Sequence, residues 1–173
     1  MRIRASVRAL HSRLGDEPID VLINNAGIYP VKGASFEDLE IDEMIETLQV
    51  NSLGAMRVTQ ALLPNLERGG GKKIVNVTSK MGSVEDNSSG GSYGYRMSKS
   101  ALNMFNKSLS IDLESRGFTC IVVHPGWVQT RMGGASAPTT VEESVSGLMR
   151  VIDDLNAESN GAFFDYQGSR LPW

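Results

Sequence analysis

Residues 73–79 read KIVNVTS and residues 118–126 read FTCIVVHPG. Each is a short apolar run rich in β-branched residues, ending in small polar or turn-forming positions. Apolar residues at successive rather than alternate positions mark strands buried on both faces, as in a parallel sheet. Parallel neighbours need a crossover between them, and the intervening sequence supplies one: Leu102, Phe105, Leu109 and Leu113 recur at near-helical intervals, with Gly117 as the stop. Upstream, IDVLINNAG reads as another strand over Ile19–Ile23 that runs into a polar loop. Ile3, Val7, Leu10 and Leu14 mark a helix before it, closed by Gly15. Ser35–Asp38 suits a helical turn. A long helix then carries Ile41, Met44, Ile45 and Leu48 on one face and continues to about Leu66, with Pro64 in its last turns and Gly69–Gly71 as its end. Thr140–Glu143 forms a capping box for a helix reaching about Leu155, and GAFFDY is a last strand. The alternation predicts one α/β domain over residues 1–173, about four parallel strands joined by right-handed crossovers.

The chain has 173 residues, 40% of them apolar and 21% charged, which is ordinary for a globular domain with a real core. A net charge of −3 gives no electrostatic reason to expect nucleic acid or an anionic membrane as partner. Cys120 is the single cysteine, so an internal disulfide and a cysteine-rich zinc site are excluded, and a reducing cytoplasm fits. The first residues, MRIRASVRALHSRLG, lack the apolar segment of a signal peptide, and no run is long enough to span a bilayer.

In open α/β sheets, ligands bind beyond the carboxyl ends of the strands. Asn24–Gly27, Thr78–Ser79 and Pro125–Gly126 each fall just past such an end, so three loops are expected to converge on one crevice. Tyr95 begins the next helix close to the same rim, and Lys99 follows it by one turn, on the same face. A free phenol has a pKa near ~10, and each unit of depression needs ~1.4 kcal/mol. Unit charges ~4 Å apart at an effective dielectric of ~20 interact by ~4 kcal/mol. An ammonium placed there is expected to draw the phenol toward the range a general acid or base needs.

Other residues have simpler readings. Tyr93 is a second phenol but has Met97, not a lysine, four residues on. Ser79 competes with Ser83 for a place beside Tyr95, and Ser79 could merely cap the loop leaving its strand. Asn51 is costly inside a helix, because its amide competes for backbone groups. His124 reads as a packed or rim residue and not a base, His11 as solvated, Cys120 as core, and Trp127 as a border of the pocket or simple packing. Two histidines so far apart argue for no metal site. GGGKK at 69–73 precedes a strand, so it reads as a helix stop, not a phosphate cradle.

Taken jointly, NNAG after a strand, an Asn in the next long helix, a Ser after the next strand, Tyr-x-x-x-Lys and a later Pro-Gly resemble the short-chain dehydrogenase/reductase family. The stretches YGYRMSKSALN and HPGWVQTRMGG and the terminal GSRLPW resemble its C-factor and sniffer-type carbonyl reductases. The resemblance implies a Rossmann-like fold and NAD- or NADP-dependent hydride transfer to a small ketone or aldehyde, or from an alcohol. It implies that Tyr95 is the acid or base, that Lys99 lowers its pKa and binds the nicotinamide ribose, and that Ser79 holds the substrate oxygen. Asn51 would hold a water that links Lys99 to solvent. Asn25, Ala26 and Gly27 would line the cofactor, and Pro125, Gly126, Val128 and Thr130 would lie against the nicotinamide. EDNSSGG at 85–91 lengthens the gap between Ser79 and Tyr95, which keeps Ser83 open. A homo-oligomer in the cytoplasm is expected, through the helices at 41–66 and 95–115.

The family's Gly-x-x-x-Gly-x-Gly turn, which lets the backbone approach the pyrophosphate, does not occur in the sequence. The sheet is therefore expected to be incomplete on its amino-terminal side, with the first strand an open edge and dinucleotide affinity much reduced. Two readings remain: a carbonyl reductase represented by its catalytic part, or a non-catalytic relative that self-associates or binds a partner.

Overall fold

Arg2–Leu14 forms α1, which packs on the later helix Leu53–Arg68. The computed structural model describes residues 2–30 and 35–173; the side chains of residues 2–5, 8 and 11 lie outside that description, and with them the expectation about His11. Strand β1 is Val21–Asn24, two residues later than its expected start at Ile19. The reason is local: the Ile19 amide donates to the Asn65 carbonyl at 3.0 Å, tying this residue to the end of a helix instead of the sheet. Ser35–Asp38 is a turn and not the start of a helix; it is closed by Asp38 N–H to the Ser35 carbonyl at 3.3 Å.

The expected helix over 41–66 is two helices, α2 (Ile41–Asn51) and α3 (Leu53–Arg68). Ser52 breaks them at φ −117°, ψ −62°. The break follows from what Asn51 and Ser52 do. The Asn51 amide donates to the Ile28 carbonyl at 2.9 Å and accepts from the Ile28 N–H at 2.8 Å, while Ser52 Oγ donates to the Ser98 carbonyl at 2.6 Å. These side chains serve partners outside their own helix.

Strand β2 is Lys73–Val77, α4 is Tyr93–Leu113, β3 is Thr119–His124, α5 is Val141–Asp153 behind the Thr140–Glu143 capping box, and β4 is Phe163–Asp165. The four strands are parallel and lie in the order β1-β2-β3-β4, making a Rossmann-like α/β fold. Side-chain parity assigns the layers. Leu66 and Leu63 of α3 and Leu113 and Leu109 of α4 pack on Ile74, Cys120 and Leu22, one face of the sheet. Val151 and Ile152 of α5 pack on Val75, Val77, Ile121 and Val123, the other face.

The last crossover therefore has the opposite hand to the first two, since the strands advance in one direction while the helix changes face. This corrects the expectation of uniformly right-handed crossovers. The right-handed preference is strong but not absolute; here irregular residues 125–140 carry the chain around the sheet end before α5 begins. The α5 layer does not reach β1. Val21 and Ile23, on that face, remain 37% and 44% exposed.

The GGGKK stretch is structural. Gly70 and Gly71 donate their N–H groups to Asp20 Oδ1 at 2.8 and 3.0 Å. Lys73 Nζ donates to the Ile152 carbonyl at 2.6 Å, at the carboxyl end of α5, where a cation is favoured.

Candidate active site

The ends of β1, β2 and β3 open into one crevice of about 950 Å³. Asn25, Ala26 and Gly27 line it after β1; Thr78 and Ser79 after β2; Pro125, Gly126, Val128 and Thr130 after β3. Tyr95 and Lys99 reach it from the first turns of α4.

Within the crevice the Ser79 hydroxyl stands close enough to the Tyr95 phenol to act on its pKa, and both line the cavity. Ser79 also caps the short 3-10 turn Lys80–Gly82, accepting from the Met81 N–H at 3.2 Å, so the capping reading and the site reading hold together. Ser83 faces elsewhere: its hydroxyl accepts from the Asp86 N–H at 3.1 Å, and it lines a separate hollow of about 190 Å³. Tyr93 turns away from the crevice and meets Phe36 edge-on at 6.0 Å.

Lys99 is only 4% exposed. Its Nζ donates to the Val77 carbonyl at 2.9 Å and lies 5.8 Å from the centre of the Tyr95 ring. Asn51 is buried behind the crevice wall, where its Nδ2 also donates to Ser98 Oγ at 2.9 Å, and Ser98 Oγ donates to the Tyr95 carbonyl at 2.7 Å. A Cβ placed on Gly27 would stand 3.5 Å from both Asn51 Oδ1 and Lys99 Nζ. The two polar groups thus flank the glycine from opposite elements. Gly82 has a similar function at the next turn: a Cβ there would come within 2.8 Å of Lys99 Cβ and 2.9 Å of its carbonyl carbon. Its absence lets the turn that carries Ser79 rest directly on α4.

The family of short chain dehydrogenases matches residues 1–140 of this sequence. The chain belongs to the short-chain dehydrogenase/reductase family. It is 48% identical over 167 residues to the C-signal of Myxococcus xanthus, a match that takes in 96% of this chain and 100% of that protein. The carbonyl reductase Sniffer of D. melanogaster superposes with a TM-score of 0.90 at 38% identity, over 99% of this chain and 73% of that one. NADPH-bound carbonyl reductase from chicken fatty liver superposes with a TM-score of 0.88 at 32% identity, over 99% and 72%.

Electrostatics in this short-chain dehydrogenase site differ from the sequence expectation at one point. The Tyr95 phenol is pushed up from its ordinary value, not drawn down: burial is the largest cause, the Ser79 hydroxyl pulls it partly back, and the Tyr29 phenol adds to the rise. Burial also lowers Lys99 to about 8, so the cation that was to acidify the phenol is itself weakened. His124, on the crevice rim, is lowered to about 4 by burial, opposed by Asp165. Its Nδ1 is buried without a hydrogen-bond partner. Cys120 is buried and its thiol is pushed up to about 12, as a core residue.

Three contributors were not singled out from the sequence. Tyr29 stacks on Tyr95 with ring centres 4.3 Å apart. Gly82 permits the contact just described, and Ser98 links Asn51 to the first turn of α4. An aromatic ring in the loop following NNAG was the available signal for Tyr29; Gly82 and Ser98 have no local one. Among the described residues no helix is long and apolar enough to cross a membrane, and no group of three His, Cys, Asp or Glu could hold a metal ion.

Proposed function

We propose that this chain carries the catalytic centre of an NAD(P)H-dependent carbonyl reductase acting on a small ketone or aldehyde. The reading is carried by Tyr95 and Ser79, which line the same crevice, with the buried Lys99 ammonium one turn away. Tyr95 is the proton donor. The phenol is protonated at neutral pH and so holds the proton a carbonyl oxygen would take, while burial, by raising its pKa, moves it away from the range in which a general acid works best. Ser79 Oγ orients that carbonyl oxygen beside the phenol.

The crevice suits a dinucleotide's nicotinamide end. Lys99 gives one of its three ammonium hydrogens to Val77 and has others for ribose hydroxyls. Asn25, Ala26 and Gly27 form one wall of the cofactor site, and Pro125, Gly126, Val128 and Thr130 the other. A bound dihydronicotinamide supplies the hydride. Asn51 Oδ1, across Gly27 from Lys99 Nζ, is suited to hold a water through which the ammonium recovers its proton. NADPH titration followed by protein fluorescence is expected to saturate, and Tyr95→Phe to lower kcat for aldehyde reduction about 10²–10⁴-fold without altering the circular dichroism spectrum. Retention of most activity in Tyr95→Phe refutes the catalytic assignment.

A second reading, self-association or partner binding without catalysis, is favoured by the bare apolar strip on β1, where Val21 and Ile23 are 37% and 44% exposed. The match to C-signal over that protein's whole length adds to it. Absence of saturable NADPH binding at millimolar concentration, together with a dimer or larger species by light scattering, would select this reading over the first.

A further inference from the structure

Tyr29 covers one face of the Tyr95 ring, with centres 4.3 Å apart and planes inclined by 18°. Its hydroxyl is hydrogen-bonded to Ser92 Oγ. Ser92 stands immediately before α4, three residues ahead of Tyr95, and two of its properties are unusual. It adopts the left-handed conformation at φ 51°, ψ 38°, which L side chains avoid. It also occupies the helix N-cap without making a capping bond, although a serine there ordinarily accepts from a backbone N–H of the first turn. The hydroxyl is committed to Tyr29 instead.

The segment that presents Ser92 is fixed from the helix. Arg96 Nε donates to the carbonyls of Gly90 and Gly91 at 3.2 Å each, Nη2 to Ser89 Oγ at 2.8 Å and Nη1 to the Met81 carbonyl at 3.4 Å. Loop, serine and tyrosine therefore form one assembly bearing on the Tyr95 ring.

We propose that Tyr29, anchored through Ser92, is a positioning residue for Tyr95: an aromatic clamp that fixes the plane of the phenol and shields one of its faces, so that the hydroxyl meets Ser79 in a single orientation. The purpose of the clamp rests on the reductase reading; its geometry does not. Among the described residues, the titratable groups around Tyr95 are Tyr29, from the loop after β1, Lys99, from the next turn of α4, and Glu40 and Glu43, at the start of α2, which line a small hollow together with Tyr95. The turn after β2 presents the Ser79 hydroxyl, while Lys80 and Asp86 from that region pair with each other at 3.2 Å.

The chain has four tyrosines, so labelling with [13Cζ]tyrosine yields four signals, and the Tyr95 signal is the one lost in Tyr95→Phe. Its ionisation is followed against pH without cofactor, with circular dichroism recorded at each step to keep the titration within the folded range. Tyr29→Ala is expected to lower the Tyr95 midpoint by about one pH unit, as water reaches the uncovered face. Ser92→Gly discriminates further. It relieves a left-handed backbone and should leave the melting temperature unchanged or higher, yet by deleting the anchor it should also lower the Tyr95 midpoint; a merely structural role for Ser92 leaves Tyr95 untouched. A wild-type midpoint in folded Tyr29→Ala overturns the clamp. A wild-type midpoint in Ser92→Gly overturns the anchor, and with it the proposal should Tyr29→Ala not fold. No turnover is measured, so failure here leaves the reductase reading standing, and loss of that reading through Tyr95→Phe leaves the clamp standing.

Discussion

Lys99→Met should make this protein more stable while removing the ammonium on which the proposed chemistry depends. The ammonium is nearly fully buried with a carbonyl as its hydrogen-bond partner and no carboxylate among the causes of its shift, and burial lowers its pKa from 10.5 to about 8. Between those values the unfolded chain holds the proton more tightly than the folded one, so stability rises as pH increases through the window and is lowest below it. A difference of roughly 2.5 units at ~1.4 kcal/mol per unit amounts to roughly 3 kcal/mol of opposition to folding at pH 7. Methionine keeps the apolar stem and removes that cost. It also deletes the bond to the Val77 carbonyl, a loss of about 1 kcal/mol. The variant is then expected to be more stable by roughly 2 kcal/mol at pH 7 and by about half that at pH 9, where the wild-type penalty has partly gone. Urea unfolding followed by circular dichroism at both pH values reads the difference directly, and slopes equal to wild type show that the comparison is of like states. A variant less stable than wild type at pH 7, or an advantage that does not shrink at pH 9, would refute the reasoning that Lys99 is a strained, desolvated cation.

Ser79→Ala should reduce carbonyl reduction by about 10-fold or more, as expected for a lost hydrogen bond to a reacting oxygen, whereas Ser83→Ala should leave kcat close to wild type; equal losses would reopen the choice between them. Gly82→Ala places a methyl against the Lys99 backbone and should destabilise by about 1–3 kcal/mol, read as a fall in melting temperature of several degrees. His124 should stay neutral down to about pH 4. The unfolded chain then binds the extra proton first, so stability falls as pH drops from 6.5 toward 4, and His124→Gln should flatten that slope in acid titrations followed by fluorescence.

The strands were readable because β2 and β3 are apolar on both faces, a pattern that leaves little choice but a covered parallel sheet. Tyr95, Lys99 and Ser79 were readable together because their spacing relative to strand ends resembles a known family. The helix break after Asn51 was not, although the cost of that asparagine was visible: its partners, Ile28 and Ser98, stand 23 and 47 residues away. Tyr29 escaped for the same reason, since its stacking partner lies in another element. The rise in the Tyr95 pKa without cofactor was not legible, because spacing reveals a neighbouring cation, while desolvation depends on everything packed around both groups. The hand of the last crossover has no sequence signature at all, because an amphipathic α5 reads identically whichever face of the sheet receives it.

The inner face of α4 explains how two distant elements can share one site. Besides Leu102 and Leu113 it buries Ser98, Lys99, Asn103, Asn106 and Ser110. An apolar face would have packed at lower risk, since each buried polar group must find a partner. Here they do so in ways that fix geometry. Asn103 accepts from Thr78 Oγ1 at 2.7 Å and donates to the Gly82 carbonyl at 3.2 Å, gripping the residues on either side of Ser79. Asn106 accepts from Asn76 at 2.8 Å, Asn76 accepts from Asn24 at 2.8 Å, and the ladder thereby crosses from α4 through β2 to β1. Ser98 joins the same helix to Asn51. Hydrophobic contacts alone would tolerate small slides of a helix along a sheet; directional bonds at three successive levels do not. The Tyr95 phenol on the helix and the Ser79 hydroxyl at a strand end can then keep their separation without any direct covalent or charged link between the two elements.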